Sequence, residues 1–296
     1  MKKMILIFLI FITLISSTQT FSQPMNNAQF TIEKIKNDIK QNKYDKGAYM
    51  GLIYLYSEEN EYENMLNTMQ QVARMFKKDL KVLQAFNEYS KEYYSKKNYE
   101  IAQKIAKLTM SHFKDDPDVA LILSEIYLKQ NKLNDSIAVL ENFLKKVPDD
   151  LLITDKLFES YIYKADYDKA FQTARKAQQY RINNIYLYFL EGLSLQLNDK
   201  EKAIDYYKAY HGKLSISQEY EPRIKVAEKI AKTLTNNAAT ADDYKKLIEF
   251  TEKLNAPKSY YLIQARYAQK LFPENTYFTQ KINSIYEKVG ISMPQE

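Results

Sequence analysis

The stretch from Pro117 to Asp150, PDVALILSEIYLKQNKLNDSIAVLENFLKKVPDD, decides the fold. Leu121, Ile122, Ile126 and Tyr127 recur with a period near 3.6 and share one helix face, and the polar run Gln130 to Lys132 then makes a turn. A second amphipathic run carries Ile137, Leu140, Phe143 and Leu144, and Pro148 closes it. Two helices of about a dozen residues joined by so short a turn form an antiparallel pair. The caps agree with these limits. Asp116 offers an N-cap oxygen with Pro117 at the first helical position, and Asp149 and Asp150 offer the same to a helix starting at Leu151. Lys145 and Lys146 fall in the last turn of the preceding helix, where the negative end of its dipole favours cations.

Working outward, the unit repeats. Tyr93, Tyr127 and Tyr161 stand at equal intervals, and the same interval separates Tyr99, Leu133 and Tyr167, and again Ala102, Ser136 and Ala170. Three columns in one register, with a period of about 34 residues, mark a helical repeat protein. Small side chains at Ala102 and Ala170 let second helices approach their partners, and a larger residue there would cost about 1–3 kcal/mol of strain. The tyrosines fill the space that the small residues leave, so both columns are core.

These units resemble tetratricopeptide repeats, which carry a small residue where their two helices touch, a Tyr late in the first helix and often a Pro after the second. Pro117 to Asp150 matches with Tyr127, Ser136, Leu140 and Pro148. The next unit, Leu151 to Asn184, matches with Tyr161, Tyr167, Ala170, Ala174 and Ala177, but has Ile182 where Pro is expected. The resemblance implies an all-α, right-handed superhelical solenoid of antiparallel helix pairs, whose first helices line a concave groove that binds peptide segments in many relatives.

Looser units flank these. Asp45 to Lys78 places Tyr56, Tyr62, Met65 and Val72, with about three residues inserted before the next unit. Ile185 to Leu214 carries Gly192, Ala203, Tyr206, Tyr207 and Tyr210, and its second helix is expected to stop near His211 and Gly212. Beyond Leu214 the register is lost while the helical pattern continues. Asp242 to Leu254 and Ser259 to Phe272 read as one diverged pair, and Thr276 to Val289 as a terminal helix closing the open end of the stack. Phe30, Ile32, Ile35 and Ile39 place a first helix over residues 28 to 42. The expected organisation is therefore a leader over 1–22, an N-terminal helix over 23–44, repeats over 45–214, and a diverged helical part with a capping helix over 215–296.

Composition supports helices and export. Five Gly and seven Pro leave few hairpin turns for a sheet protein of 296 residues. Lys2 and Lys3, the apolar run Met4 to Ile15 and the small residues Thr20 and Ser22 build a secretory signal peptide, with cleavage after Ser22. Its apolar run is too short to span a bilayer, so no membrane span is expected once the leader is removed. Loss of Lys2 and Lys3 lowers the net charge from +6 to +4, and with export this disfavours nucleic acid as a partner. The absence of Cys excludes disulfides, thiolate metal sites and a lipid-modified cysteine after the leader. Residue bias and the leader ending Phe21-Ser22-Gln23 resemble exported proteins of Bacteroidetes-type bacteria, which places the chain in the periplasm or on the cell envelope.

No catalytic constellation is written in the chain. His112 and His211 stand near the ends of second helices, where the dipole favours a protonated imidazole, and no metal-binding spacing accompanies them. Scattered glycines make no phosphate loop, so neither cofactor nor metal is expected, nor enzyme activity. What the repeat offers is a groove. Its phase projects Tyr54, Lys91, Tyr94, Glu125, Leu128, Lys129, Glu159, Tyr163, Tyr186, Phe189 and Leu193 onto the concave face as the surface that holds a protein or peptide segment. The mixed charges of Lys91, Lys129, Glu125 and Glu159 depart from the basic clamp of chaperone-binding relatives. Two other functions fit the sequence: a structural subunit of an envelope-assembly or secretion complex, and a glycan-binding protein or enzyme with a pocket in the C-terminal third, where Tyr260 and Tyr261 could stack on sugar rings.

Overall fold

Three successive helix pairs are each closed by a tyrosine carbonyl. The structure, a computed structural model, describes residues 24–180, 186–213 and 221–294. In it the carbonyl of Tyr93 accepts from the Asn98 amide at 2.9 Å, that of Tyr127 from Lys132 at 2.8 Å, and that of Tyr161 from Asp166 at 2.9 Å. One residue before each donor, Lys97, Asn131 and Ala165 take φ of 61°, 57° and 63°. This left-handed step ends the first helix and satisfies carbonyls that its last turn leaves open. The three tyrosine side chains are buried, so a single column fixes the turn through its backbone and the core through its ring.

The described residues form two units that part between Met75 and Phe76. The first holds α1 (Pro24–Gln41), α2 (Lys46–Glu58) and α3 (Tyr62–Met75). Asp45 caps α2 by accepting from the Ala48 amide at 2.9 Å, and Tyr56, Met65 and Val72 are core, as their columns require. On α1 Ile32 is buried, but Phe30 is 74% exposed. Two residues span about 200° of an α-helix, so these two cannot share a face.

The second unit begins with four pairs: α4 (Leu80–Ser95) with α5 (Tyr99–His112), α6 (Pro117–Lys129) with α7 (Leu133–Leu144), α8 (Leu151–Tyr163) with α9 (Tyr167–Tyr180), and α10 (Tyr186–Leu195) with α11 (Lys200–Lys213). Asp116 and Asp150 cap α6 and α8 through the amides of Val119 and Ile153, and the column Tyr99, Leu133, Tyr167 supplies the first residue of α5, α7 and α9. Ala102, Ser136 and Ala170 are wholly buried where the helices touch. Successive first helices meet, α4 with α6 and α6 with α8. No strand occurs among the described residues.

The chain goes on as α12 (Glu221–Thr235), α13 (Ala241–Lys253), α14 (Lys258–Leu271) and α15 (Thr276–Val289). The pair α13–α14 keeps the repeat's turn, with Asn255 at φ 53° and the Ala256 amide reaching the Thr251 carbonyl at 3.3 Å. It does not keep the repeat's place, because α14 packs against α8. Two expectations change. Gly212 lies inside the last turn of α11 rather than beyond it. The terminal helix has the expected limits and ends on Gly290 at φ 92°, yet its end is held against α6 instead of closing an open end of the stack. The leader expected over residues 1 to 22, the departure at Ile182 and the break in register placed at Leu214 lie outside the described residues. No helix among the described residues is long and apolar enough to cross a membrane.

Gly192 shows how tightly a first helix and its partner meet. A Cβ there would lie 2.9 and 3.0 Å from carbons of the Tyr207 ring and 3.3 Å from the Ala203 carbonyl oxygen. Tyr207 is itself fully buried and has no room to retreat. Gly192→Ala is expected to destabilise the protein by about 1–3 kcal/mol despite the better helix propensity of Ala. Urea denaturation measures it, as a lower midpoint at unchanged slope.

Candidate functional site

Residues Ser259 to Ala265, with Tyr267 and Ala268, are all buried, so α14 is covered on every side. A helix enclosed in this way must lie inside a fold, and the place it takes is the face of α8 and α10 that the repeat phase assigns to the groove. The Tyr260 ring stands edge-on to Phe189 with centroids 5.0 Å apart. Its hydroxyl meets that of Tyr186, which donates to Asp155 at 2.5 Å; Tyr186 spends its one proton on the carboxylate, so Tyr260 is the donor between the two. Gln196 and Gln264 exchange reciprocal amide hydrogen bonds at 2.8 and 2.9 Å, and Tyr207 donates to Gln196 at 2.9 Å.

The final helix and the tail seal the rest. Lys129 Nζ donates to the carbonyls of Lys288 and Val289, both at 3.1 Å, a cation on the open carbonyls of a helix end. Asn131 and Ser292 are joined twice, through Nδ2 to Oγ at 2.8 Å and from the Ser292 amide to Oδ1 at 2.7 Å. The Tyr286 hydroxyl donates to the Tyr163 carbonyl at 2.7 Å, and Arg266 bonds the hydroxyls of Tyr167 and Tyr286. These polar contacts contribute about 1 kcal/mol each. Phe278, Ile282, Ile285, Tyr286 and Val289 are buried on the same helix, and at about 1.5–3 kcal/mol for each large apolar side chain the apolar face dominates its docking.

The expected groove is therefore divided. Leu128, Tyr163, Tyr186, Phe189 and Leu193 are at most 9% exposed; the C-terminal helices lie against Phe189, Tyr186 and Tyr163, and the five present no open surface. Lys129 is committed to the end of α15. Tyr54 is half-buried on α2, in the first unit. Lys91, exposed, and Tyr94 and Glu125, half-buried, remain at an uncovered end formed by α4 and α6. Tyr260 and Tyr261 are interior, which overturns their expected use as a stacking surface for sugars. An open hollow of about 300 Å³ between α11 and α12, lined by Lys200, Glu201, Asp205, Lys208, Thr235 and Asn237, carries both signs of charge. Among the described residues, no group of three or more His, Asp and Glu could hold a metal ion. His112 is the last residue of α5, and the His211 side chain lies outside the described residues.

Charge is concentrated where the covered and uncovered parts meet. Lys156 on α8 lies 3.3 Å from Glu125 and 3.7 Å from Glu159. Burial pushes the Glu159 carboxyl up to about 7, against the pull of Lys156 and with a further push from Asp155. Burial opposes the charge on Lys156 as well, yet Glu159 and Glu125 together hold its ammonium above the ordinary value. Tyr94, across from Glu125, is raised to about 12 by burial first and by that carboxylate second. One residue that sequence patterning misses belongs here. Asn87 precedes Lys91 by four positions and Tyr94 by seven, so it shares their helix face, and its side-chain oxygen is buried without a hydrogen-bond partner.

Residues of one sequence column thus occupy equivalent places in successive helix pairs, with the same turn and the same contact between helices. The architecture is tetratricopeptide-like. No family model matches the chain, and no curated protein does. Among solved structures, the C-terminal part of a TPR repeat-containing protein from Cytophaga hutchinsonii is 16% identical, covering 87% of this chain and 95% of that one, with a TM-score of 0.43. A mutant of MamA is 20% identical, covering 64% of this chain and 96% of its own, with a TM-score of 0.37. Here a C-terminal helix, α14, packs back against α8, a first helix of the stack.

Glu159 gives stability a pH dependence of definite sign. A carboxyl that titrates near 7 in the folded chain, against an ordinary value of 4.5, binds its proton more tightly folded than unfolded. Its contribution is whole below about 4.5 and is lost as pH rises through about 7, by on the order of 3 kcal/mol. Glu159→Gln is expected to be less sensitive than the wild type across this window, read from urea midpoints at a series of pH values.

Proposed function

We propose that this chain is a non-catalytic scaffold that holds a segment of a partner protein at the uncovered end of its concave face, along α4 and α6, and that it works outside the cytoplasm after removal of residues 1–22. The observation that carries the reading is the Asn87 carbonyl oxygen. A buried acceptor without a donor costs about 1–3 kcal/mol; Gln130, Ser136 and Ser259 also leave a buried polar atom without a partner, and Asn87 is the one of these that shares a helix face with Lys91 and Tyr94. A segment laid along α4 would draw the Asn87 side chain outward so that the segment's main-chain N–H groups meet that oxygen; Lys91 and Tyr94 follow it by one and two turns on the same helix face, with Glu125 across from Tyr94. Tyr94 adds a rigid amphipathic ring, a side chain that contributes contact area at small entropic cost. The lysine and the carboxylate offer a donor and an acceptor to the same segment. Export rests on the leader, whose basic start, short apolar run and small residues before Gln23 fit a cleaved signal peptide.

Asn87→Leu separates binding from folding. It removes an acceptor that the fold leaves unpaired, so thermal unfolding is expected to show stability equal to or above that of the wild type. Affinity capture from the cell envelope should meanwhile recover the partner roughly tenfold less well, the effect of one hydrogen bond of about 1.4 kcal/mol. Lys91→Glu with Tyr94→Ala should reduce recovery further. The same partners at the same yield from all three proteins would remove the groove end from consideration.

A further inference from the structure

Lys156 stands between two carboxylates that belong to different parts of the concave face. Glu125, on α6, has a side chain 42% exposed beside Tyr94 at the uncovered end, whereas the Glu159 side chain is only 13% exposed. The ammonium is within ion-pair distance of both, at 3.3 and 3.7 Å, and its single positive charge neutralises only one of two ionised carboxylates. We propose that Lys156 is exchanged between Glu125 and Glu159 under control of a proton, so that the charge shown at the uncovered end of the groove depends on whether Glu159 is ionised.

The charges around Glu159 come from every element packed on it. Its own helix supplies Asp155, Lys156 and Tyr163; α6 supplies Glu125, and α14 supplies Lys258 and Tyr261. Tyr286 of α15 lies against Tyr163. Asp155 is already the acceptor of the Tyr186 hydroxyl, which leaves Lys156 and Lys258 as the cations acting on Glu159. With the proton on Glu159, Lys156 is free to pair with Glu125, and the uncovered end shows a neutralised carboxylate. Once the proton leaves, a buried anion competes for the same ammonium with less water to screen it. Lys156 shifts inward, and Glu125 is left as an uncompensated acceptor beside Tyr94. The midpoint of about 7 expected for Glu159 puts the exchange near neutral pH.

The exchange takes place within the folded chain and needs no ligand. Only its consequence for binding rests on the proposed groove function, so the two can fail separately. Carboxyl-carbon NMR of the full chain, titrated from the acid to the alkaline side of neutrality, tests it directly. The Glu125 side-chain carbon is expected to move with the midpoint of Glu159, and the Lys156 ζ-nitrogen resonance to move at the same pH. In Glu159→Gln, both steps should disappear. A Glu159 midpoint well below neutrality in the wild type overturns the proposal without recourse to any variant. So does a Glu125 or Lys156 step that persists in Glu159→Gln. If the exchange is observed but the Asn87 and Lys91 variants still recover every partner, the proton-linked charge stands and the groove function falls.

Discussion

A helix buried on every side has to be surrounded, and α14 sets this requirement for the second unit. Tyr260, Leu262, Ile263, Ala265 and Ala268 point in different directions from one helix and are all buried. A flat surface could cover one of its faces; α8 and α10 on one side, with α13 and α15, cover them all. The hydrophobic core runs continuously from α6 to Ile291, with no break between the repeats and the C-terminal helices.

The periodic part of this design is legible in the sequence because it is local. Tyr93, Tyr127 and Tyr161 repeat, and so do the small residues against which they pack, since each pair solves the same packing problem with neighbours a few dozen residues away. The turn column is not legible. Lys97, Asn131 and Ala165 share a left-handed backbone, yet a Lys, an Asn and an Ala have no common chemistry, and only Asn favours that conformation. The geometry is imposed by the helices on either side. The C-terminal pair shows in its helical pattern and in Ala265 and Ala268, but the same residues give no sign of where it docks.

The groove residues divide for a related reason. Phase arguments place a side chain, such as that of Phe189 or Tyr186, on a face of its own helix and go no further. Whether it meets water is decided by Tyr260, more than seventy residues further along the chain, and no local pattern carries that information. The amphipathic look of the projected groove is itself misleading, because a tyrosine hydroxyl that reads as a surface group finds its partner inside, in Asp155 or in another tyrosine. Asn87 fails in the opposite sense. A lone Asn in a helix has no pattern; it shares burial without a partner with Gln130, Ser136 and Ser259, and its place on the face of Lys91 and Tyr94 is what ties it to them. The ionic part is half visible: Glu125 and Glu159 are one repeat interval apart, while the cation between them, at Lys156, sits outside that column.

The double link between Asn131 and Ser292 has a consequence for how such a chain can vary. Open stacks of helix pairs tolerate gain or loss of a unit, because each pair touches only its neighbours. Here a residue in the turn after α6 is tied to one more than 160 positions away. Inserting a pair between them would carry the tail past its mooring by the width of a repeat, and Lys129 would lose the carbonyls at the end of α15. The number of repeats from α6 to the C-terminus is thus fixed by geometry, and variation in length is left to the segment before α6 and to the loops.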